Sequence, residues 1–320
     1  MATYKRQRYL FMTLDPVHIG TGGYRLGRVD KSIVREPGTK IPKIPGTSLH
    51  GAARSYAAQL YETPEAAGQS HDKVTGNIAE NPVCYTFGYI KNINMYSGVV
   101  NIFDAHVLLF PVHSMVGPVW VSTRERLDEA GFTNLPDDWN DVTTVVLNWD
   151  KPDKRLNLGW LMVNVADQKA EIQAPFEWRD EPRYKAISTI VLVKDALFSQ
   201  VVNSNLEVRT SVAIDPNTGA ADEGALFTYE AIPRATFLTA EVVLDDYRDG
   251  EENRPFPKDK TAKNNPLPGD SWKGALCVVK AGFRMIEWLG VGGMGTRGFG
   301  RMATIGAPVN VELETIFSKK

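Results

Sequence analysis

The chain has 320 residues, of which 43% are hydrophobic and 23% are charged, and this balance excludes a disordered protein. A formal net charge of -2 excludes a uniformly basic nucleic-acid-binding protein, although it permits a local basic surface. No apolar run approaches the roughly 20 residues of a membrane helix, no signal-peptide pattern opens the chain, and two distant cysteines form no disulfide framework, so we expect a cytoplasmic protein without a membrane partner.

Positive charge is concentrated at the start of the chain. Residues 1–54 carry ten Lys and Arg side chains and three Asp and Glu side chains, a net +7, so the remaining residues carry -9. A basic face on an acidic body is the charge layout of a phosphate-binding protein. An ordinary solvated surface explains the same composition equally well at this point.

The first third of the chain predicts a strand, a long loop and a helix. Residues 8–14 are rich in β-forming side chains, and residues 15–46 are rich in Gly and Pro. A helix follows, which Thr47 or Ser48 can cap, and its apolar residues recur at helical spacing as far as residue 60. We interpret residues 62–98 as a peripheral insertion, because residues 62–82 are polar and contain Gly and Pro.

The rest of the chain predicts mostly strands, followed by one long helix. A turn-forming cluster at residues 215–219 separates two β-prone runs, which predicts a hairpin. Residues 246–268 are charged and Pro-rich and predict an exposed loop, and a helix over residues 271–289 ends at a glycine. The other predicted strands are 99–111, 119–121, 145–147, 187–193, 236–244 and 298–305. This order favours one α+β domain, residues 1–320, with helices on one face of an antiparallel sheet.

Two motifs have the composition of phosphate-binding sites. Residues 290–295 spell G-x-G-x-x-G, but they follow a helix and precede a strand, which excludes a dinucleotide-binding unit. Glycines let a backbone approach phosphates, and Arg297 and Arg301 add charge, although a plain glycine-rich turn has the same sequence. Residues 44–49 lead into a helix N-terminus flanked by Lys43 and Arg54, which suits anion binding or ordinary capping.

Motifs of metal and nucleophilic catalysis are missing from the sequence. It has no H-E-x-x-H or C-x-x-C motif and no Ser-His-Asp pattern. His71 and Cys84 are two possible zinc ligands, whereas a structural site needs about four, so we expect no structural metal.

Three segments together resemble the RAMP superfamily, and most closely the repeated backbone subunit of the Cmr (type III-B) CRISPR effector complex. They are His18–Gly22 with Asp30 and the helix-entry run Ile41–Arg54, the run Phe103–Ser114, and the terminal glycine loop. Residues 206–238 resemble the thumb hairpin of these subunits. The resemblance implies an RRM-like (ferredoxin-like) palm with an inserted β-hairpin thumb.

The resemblance also implies function and partners. Such subunits bind a CRISPR guide RNA, stack with other copies of themselves in a filament beside other type III CRISPR subunits, and cleave the guide-paired single-stranded target RNA at regular intervals. This endoribonuclease activity implies a divalent metal such as Mg or Mn.

The site residues that the resemblance implies fall into two groups. The catalytic aspartate of the family matches Asp30, which is a proton acceptor or a metal ligand, and its histidine and thumb glutamate match His18 and Glu230. The RNA-binding residues that it implies are Lys43, Thr47, Ser48, His50, Arg54, Arg297 and Arg301. The family has Lys where this chain has His50, so a mostly neutral imidazole replaces a fixed charge.

Two other functions fit the same residues. One is a stand-alone RAMP-family nuclease that processes CRISPR RNA, against which the thumb-like hairpin argues. The other is a structural guide-RNA binder without activity, against which Asp30 argues.

Overall fold

A computed structural model describes residues 3–22, 29–68, 70–150, 153–221, 226–248, 256–257 and 272–312. Its strands are β1 Thr3–Thr13, β2 Lys43–Ile44, β3 Gly88–Lys91, β4 Asn94–Ser97, β5 Val100–Ile102, β6 Ala105–Ser114, β7 Gly117–Ser122, β8 Thr144–Leu147, β9 Arg155–Leu158, β10 Leu161–Lys169, β11 Ile190–Leu192, β12 Glu207–Ser211, β13 Phe227–Ala231, β14 Phe237–Asp246, β15 Met302–Thr304 and β16 Val309–Val311. Its α-helices are α1 Gly46–Leu60, α2 Pro82–Phe87, α3 Arg124–Glu129, α4 Phe176–Arg179, α5 Pro182–Lys185, α6 Asp195–Ser204 and α7 Ala275–Leu289. Within these ranges, no helix is long and apolar enough to cross a membrane.

Four strands and two helices form a ferredoxin-like palm. The strands lie in the order β15-β1-β14-β6, and every neighbouring pair among them is antiparallel. Helix α1 lies in the connection from β1 to β6, and α7 lies in the connection from β14 to β15. Each connection therefore passes over one intervening strand. The predicted α+β class and RRM-like palm are confirmed.

The helices cover one face of this sheet because β1 alternates its side chains. Tyr9 and Phe11 point to the helical side, where both rings meet Phe283 of α7 edge-on at centroid distances of 5.1 and 5.2 Å. Leu49 and Ala53 of α1 are fully buried in the same core. Leu10, which lies between Tyr9 and Phe11 in the sequence, belongs to a second apolar cluster with Trp178 on the opposite face. Part of the opposite face is therefore covered as well.

Helices α1 and α7 touch through a glycine, which gives a stability prediction. A Cβ atom at Gly282 would lie 2.3 Å from the carbonyl oxygen of Ala53, and backbone cannot move aside easily. We expect Gly282→Ala to lower the free energy of unfolding by about 1–3 kcal/mol through overpacking. Gly51→Ala, at an exposed position of α1 with no atom near the added Cβ, should instead raise it by about 0.5–1 kcal/mol. Urea unfolding measures both, and equal effects would contradict the contact.

The sheet continues beyond the palm through β7, β11, β8, β10 and β9. In this extension β11 pairs with β7 and β10 pairs with β8 in parallel. The prediction of an antiparallel sheet therefore holds for the palm, while the whole sheet is mixed.

The segment 62–98 is more than the predicted peripheral insertion. All six residues of α2 are buried, and Val83 and Cys84 belong to the main core beneath the palm helices. The Asn81 side chain caps α2 by accepting hydrogen bonds from the amides of Val83 and Cys84 at 3.0 and 3.1 Å. Strands β3 and β4 form a hairpin after it. The polar sequence before α2 concealed an element of the core.

The predicted hairpin forms from β12 and β13, which pair antiparallel from Glu207↔Ala231 to Ser211↔Phe227. Its distal turn is closed by Asp215, whose side chain accepts from the amide of Asn217 at 2.8 Å and whose carbonyl accepts from Gly219. Of the predicted exposed loop at 246–268, only residues 246–248 and 256–257 are described, and residues 222–225 lie outside the described residues.

Candidate functional site

The loop after β1 returns to lie along the hairpin strand β13. The amide of Lys31 donates to the carbonyl of Thr228 at 3.0 Å, and the amide of Glu230 donates to the carbonyl of Lys31 at 3.0 Å. A bridge between Val17 and Ile232 extends the contact on the other side of the loop. The segments that carry His18, Asp30 and Glu230 therefore meet at the base of the hairpin.

Asp30 is fixed to β13 through one carboxylate oxygen. Its Oδ2 accepts from the Thr228 amide at 2.7 Å and from the Thr228 hydroxyl at 2.9 Å. The Asp30 amide donates to the same hydroxyl oxygen at 3.1 Å. The hydrogen bonds from Thr228 hold the pKa of this carboxyl below its usual value, so the partly exposed carboxylate is ionised at neutral pH.

His18 is buried and connects the hairpin to the glycine loop. Its Nδ1 lies 2.6 Å from the carbonyl oxygen of Glu230, so this nitrogen carries the proton and donates it. Its own carbonyl accepts from the amide of Gly293 at 2.9 Å. Only 5% of the residue is exposed, which suits a positioning role for the predicted catalytic histidine.

Glu230 directs its carboxylate to the loop and away from solvent. Oε2 accepts from the Arg35 guanidinium at 2.8 Å and from the Ile33 amide at 3.3 Å. The glutamate side chain is 12% exposed. With its charge paired in this way, the predicted thumb glutamate has the contacts of a residue that holds the loop in place.

The glycine loop closes one side of this site because its glycines allow tight contacts. A Cβ at Gly292, where φ is +85°, would lie 2.6 Å from the His18 carbonyl oxygen. Phe299 packs on Tyr229 with ring centroids 5.4 Å apart, and Met294 joins the same small cluster. The loop after α7 is thereby fixed to β13.

Two cations flank an aromatic ring beside Asp30. Lys31 Nζ lies 4.4 Å from the centroid of the Phe227 ring, and the Arg297 guanidinium lies 5.6 Å from it. The predicted RNA-binding residue Arg297 thus contacts the same ring as Lys31, the residue that follows Asp30. Lys31 was missed as a site residue, although its position next to Asp30 was a signal. Arg301, by contrast, is paired with Asp15 through Nε at 2.5 Å.

The N-terminus of α1 differs from its prediction. Helix α1 begins at Gly46 with Pro45 as N-cap, and neither Thr47 nor Ser48 caps it by a side-chain hydrogen bond. The carboxylate of Asp104 accepts from the Gly46 amide at 2.7 Å instead. The predicted capping is wrong, because a carboxylate from the short connection between β5 and β6 takes that role.

A groove of about 380 Å³ nevertheless joins this helix to the glycine loop. Thr47 is exposed at the start of α1, and Ser48 lines the groove with Tyr56, whose hydroxyl donates to the Gly290 carbonyl at 2.6 Å. The two motifs of phosphate-binding composition are therefore neighbours, and their hydroxyls and glycines form one polar surface.

Lys43 and Arg54 have internal partners. Lys43 Nζ binds the carboxylates of Glu36 and Asp104 at 2.9 and 2.6 Å, and the hydrogen bonds that it donates to Asp104 and Glu36 raise its pKa. Arg54 donates to the carbonyls of Ala66 and Gly88 at 2.8 and 2.9 Å, and its burial lowers its pKa. The guanidinium is therefore engaged inside the protein, which does not fit the phosphate contact predicted for it.

The basic N-terminal segment does not form one free basic face. Arg6 and Arg8 both bind Glu241, at 2.5 and 3.0 Å, and Arg35 binds Glu230. Acids from later in the chain thus neutralise much of the +7 that the composition indicated. Arg25 and Arg28 lie outside the described residues.

The half-buried His50 and the buried His71 predict a loss of stability in mild acid. Burial and the nearby Arg54 lower the pKa of both His50 and His71. The unfolded chain then binds protons first, so stability is complete above pH ~6.5 and falls as the pH decreases below it. We expect a lower urea midpoint at pH 5.5 than at pH 7.5, and a smaller difference in a His50→Gln/His71→Gln variant. An unchanged difference in that variant would assign the acid sensitivity to other groups.

The described residues contain no group of three or more His, Cys, Asp or Glu side chains that could hold a metal ion. Asp30 is a single carboxylate, and of its two oxygens Oδ2 is the one held by Thr228. Mg²⁺ commonly binds through one or two carboxylates together with substrate phosphates and water. The other oxygen, Oδ1, accepts no hydrogen bond from another of the described residues, which is compatible with that mode of binding.

Comparison with known proteins identifies relatives along most of the chain. A protein of Pyrococcus furiosus named CRISPR system Cmr endoribonuclease Cmr4 is 25% identical over 248 residues, which cover 72% of this chain and 79% of that protein.

Solved structures share the fold. A chain of the type III-B Cmr-beta complex bound to cognate target RNA matches with a TM-score of 0.64 and 15% identity, covering 94% of this chain and 96% of that one. Oligomeric Cmr4 from Pyrococcus furiosus matches with a TM-score of 0.57 and 20% identity, covering 96% and 99%. The sequence pattern of the RAMP superfamily matches residues 10–303. The chain belongs to the RAMP superfamily.

Proposed function

We propose that this chain is a guide-RNA-binding backbone subunit of a type III-B CRISPR complex and that it cleaves the target RNA paired with the guide. One observation carries the proposal: Asp30 is held by Thr228 at the base of the β12–β13 hairpin, beside the positive charge of Lys31. The similarity to Cmr4, which is named an endoribonuclease, supports the same activity.

The groove between α1 and the glycine loop accommodates the guide backbone in this proposal. The hydroxyls of Ser48 and Ser55 in this groove are suitable donors to phosphate oxygens, and such contacts are independent of base sequence. Copies of the chain then stack along one guide, and their hairpins reach the guide–target duplex. The related structures include an oligomeric Cmr4 and a type III-B complex bound to target RNA, which supports these partners.

Cleavage then uses the 2′-hydroxyl of the target RNA. The hydroxyl oxygen attacks the adjacent phosphorus, the bond to the 5′ oxygen breaks, and a 2′,3′-cyclic phosphate and a 5′-hydroxyl result. Asp30 accepts the proton of the 2′-hydroxyl, and the leaving oxygen takes up a proton from water. Lys31 and Arg297 stabilise the charge that develops on the phosphate, and the hairpin holds the strand so that attacking and leaving oxygens align.

In the alternative role of Asp30 as a metal ligand in place of a proton acceptor, a divalent cation such as Mg²⁺ or Mn²⁺ would bind beside it when RNA is bound. Asp30 would hold it together with phosphate oxygens of the substrate, and it would supply further neutralisation of phosphate charge.

Electron microscopy of the purified chain with RNAs of increasing length tests the backbone role. We expect strings of subunits whose length grows with the RNA. Monomers or dimers at every RNA length would contradict the role and favour a stand-alone nuclease.

A further inference from the structure

Thr228 is the residue of the hairpin that contacts Asp30 most closely. Its amide and its hydroxyl both donate to Oδ2 of Asp30, at 2.7 and 2.9 Å. Its hydroxyl oxygen also accepts from the Asp30 amide at 3.1 Å. One threonine therefore fixes both the carboxylate and the backbone of the aspartate.

This arrangement orients the carboxylate as well as anchoring it. Both donors go to Oδ2, and within the described ranges no hydrogen bond is made to Oδ1. A carboxylate anchored through one oxygen in this way leaves the other for a substrate hydroxyl or a cation. Rotation about the last side-chain bond of Asp30 would break the two hydrogen bonds, so the oxygens do not exchange freely.

The threonine is itself held in position by strand pairing. The Thr228 carbonyl accepts from the Lys31 amide at 3.0 Å. Two residues further along β13, the Glu230 amide donates to the Lys31 carbonyl. Thr228 also pairs with Thr210 across the hairpin. A displacement of β13 is therefore transmitted to Asp30 through at least four hydrogen bonds.

We propose that Thr228 is a positioning residue for RNA cleavage: its hydroxyl holds Asp30 so that Oδ1 faces the scissile phosphate, and it thereby couples the hairpin to the chemistry. The proposal rests on the function proposed above, in which Asp30 is the catalytic carboxylate. It adds that the hairpin controls the orientation of that carboxylate besides shaping the RNA.

The hydroxyl is tested by Thr228→Val, which preserves the shape and the strand preference of the side chain. We expect the single-turnover cleavage rate to fall about tenfold, because a misplaced catalytic group costs rate even when it is present. Guide binding and target capture should stay within twofold of wild type. Thr228→Ser, which retains a hydroxyl, should recover most of the rate. Thr228→Ala removes the same hydroxyl and replaces the valine variant if that one fails to fold.

A matched control exists elsewhere in the chain. Asp141 also accepts from both the amide and the hydroxyl of a threonine, Thr143, each at 2.9 Å. Thr143→Val removes an equivalent hydroxyl from an equivalent aspartate, and we expect it to leave the cleavage rate unchanged.

A double-mutant cycle separates positioning through Asp30 from a general structural effect. If Thr228 acts through Asp30, adding Thr228→Val to Asp30→Asn should reduce the residual cleavage no further. Wild-type cleavage by Thr228→Val with an inactive Asp30→Asn variant would overturn this inference alone. Equal loss in Thr228→Val and Thr228→Ser, or additive losses in the cycle, would overturn it too. Wild-type cleavage by Asp30→Asn would instead overturn the proposed function.

Discussion

Asp30→Asn is expected to reduce the rate of target-RNA cleavage by about 100-fold or more, the contribution of a general base in the transition state. Asparagine has the size of aspartate, so the loop should remain paired with β13. The hydrogen bonds from Thr228 keep the wild-type carboxyl ionised at neutral pH, and this charge is what the variant lacks. Single-turnover assays with a labelled target measure the effect.

Guide binding and target capture distinguish loss of chemistry from loss of assembly. Both should be normal in the Asp30→Asn complex. The control is Asp141→Asn, because Asp141 makes the same kind of contacts with a threonine and belongs to a turn before β8. We expect the control to cleave at the wild-type rate. Loss of RNA binding in Asp30→Asn would show that the residue acts in assembly.

Removal of the two cations beside Phe227 is expected to have the second largest effect. Each cation that contacts a phosphate of single-stranded RNA contributes about 0.7 to the slope of log affinity against log salt. Lys31→Ala/Arg297→Ala should therefore reduce that slope by about 1.4 and weaken binding of all RNA sequences alike. Filter-binding titrations between low and high salt measure the slope.

Lys154→Ala/Lys169→Ala is the matched control for the cation pair. Both lysines are partly or largely exposed, at 76% and 45%, and both pair with acids near β9 and β10. Their removal changes the net charge by the same amount but should leave the salt slope unchanged. An equal decrease in both double variants would assign the effect to overall charge, and unchanged slopes in both would remove Lys31 and Arg297 from the RNA surface.

Local sequence patterns sufficed to predict most of the palm. Strand β1, helices α1 and α7 and the β12–β13 hairpin each carry their own periodicity or turn residues within one segment. The elements that were missed lack such a signal. Helix α2 is six residues long and follows a polar run. Strands β9 and β10 and helix α6 were not predicted, because their segments mix apolar and polar residues without a clear period.

The sequence indicated which residues are candidates for the site, but it did not indicate the contacts between them. The segments that carry Asp30, His18 and Glu230 lie together at the base of the hairpin, while the contact between Asp30 and Thr228 joins residues 198 positions apart. No local pattern encodes such a pair. Arg54 shows the converse, because its position on α1 suggested a surface charge while the core elements around α2 enclose it. Charge counted along the sequence therefore overstates the charge available to RNA.

Mapping the cleavage products of an end-labelled target RNA tests the central claim most directly. The chain is assembled on a guide RNA and given a complementary target, a target with a 2′-deoxy sugar at the cut positions, and a target without complementarity. The account predicts several evenly spaced cuts in the complementary target alone, each ending in a cyclic phosphate, and none with Asp30→Asn. A single cut, cutting of the guide, or cutting independent of complementarity would contradict it.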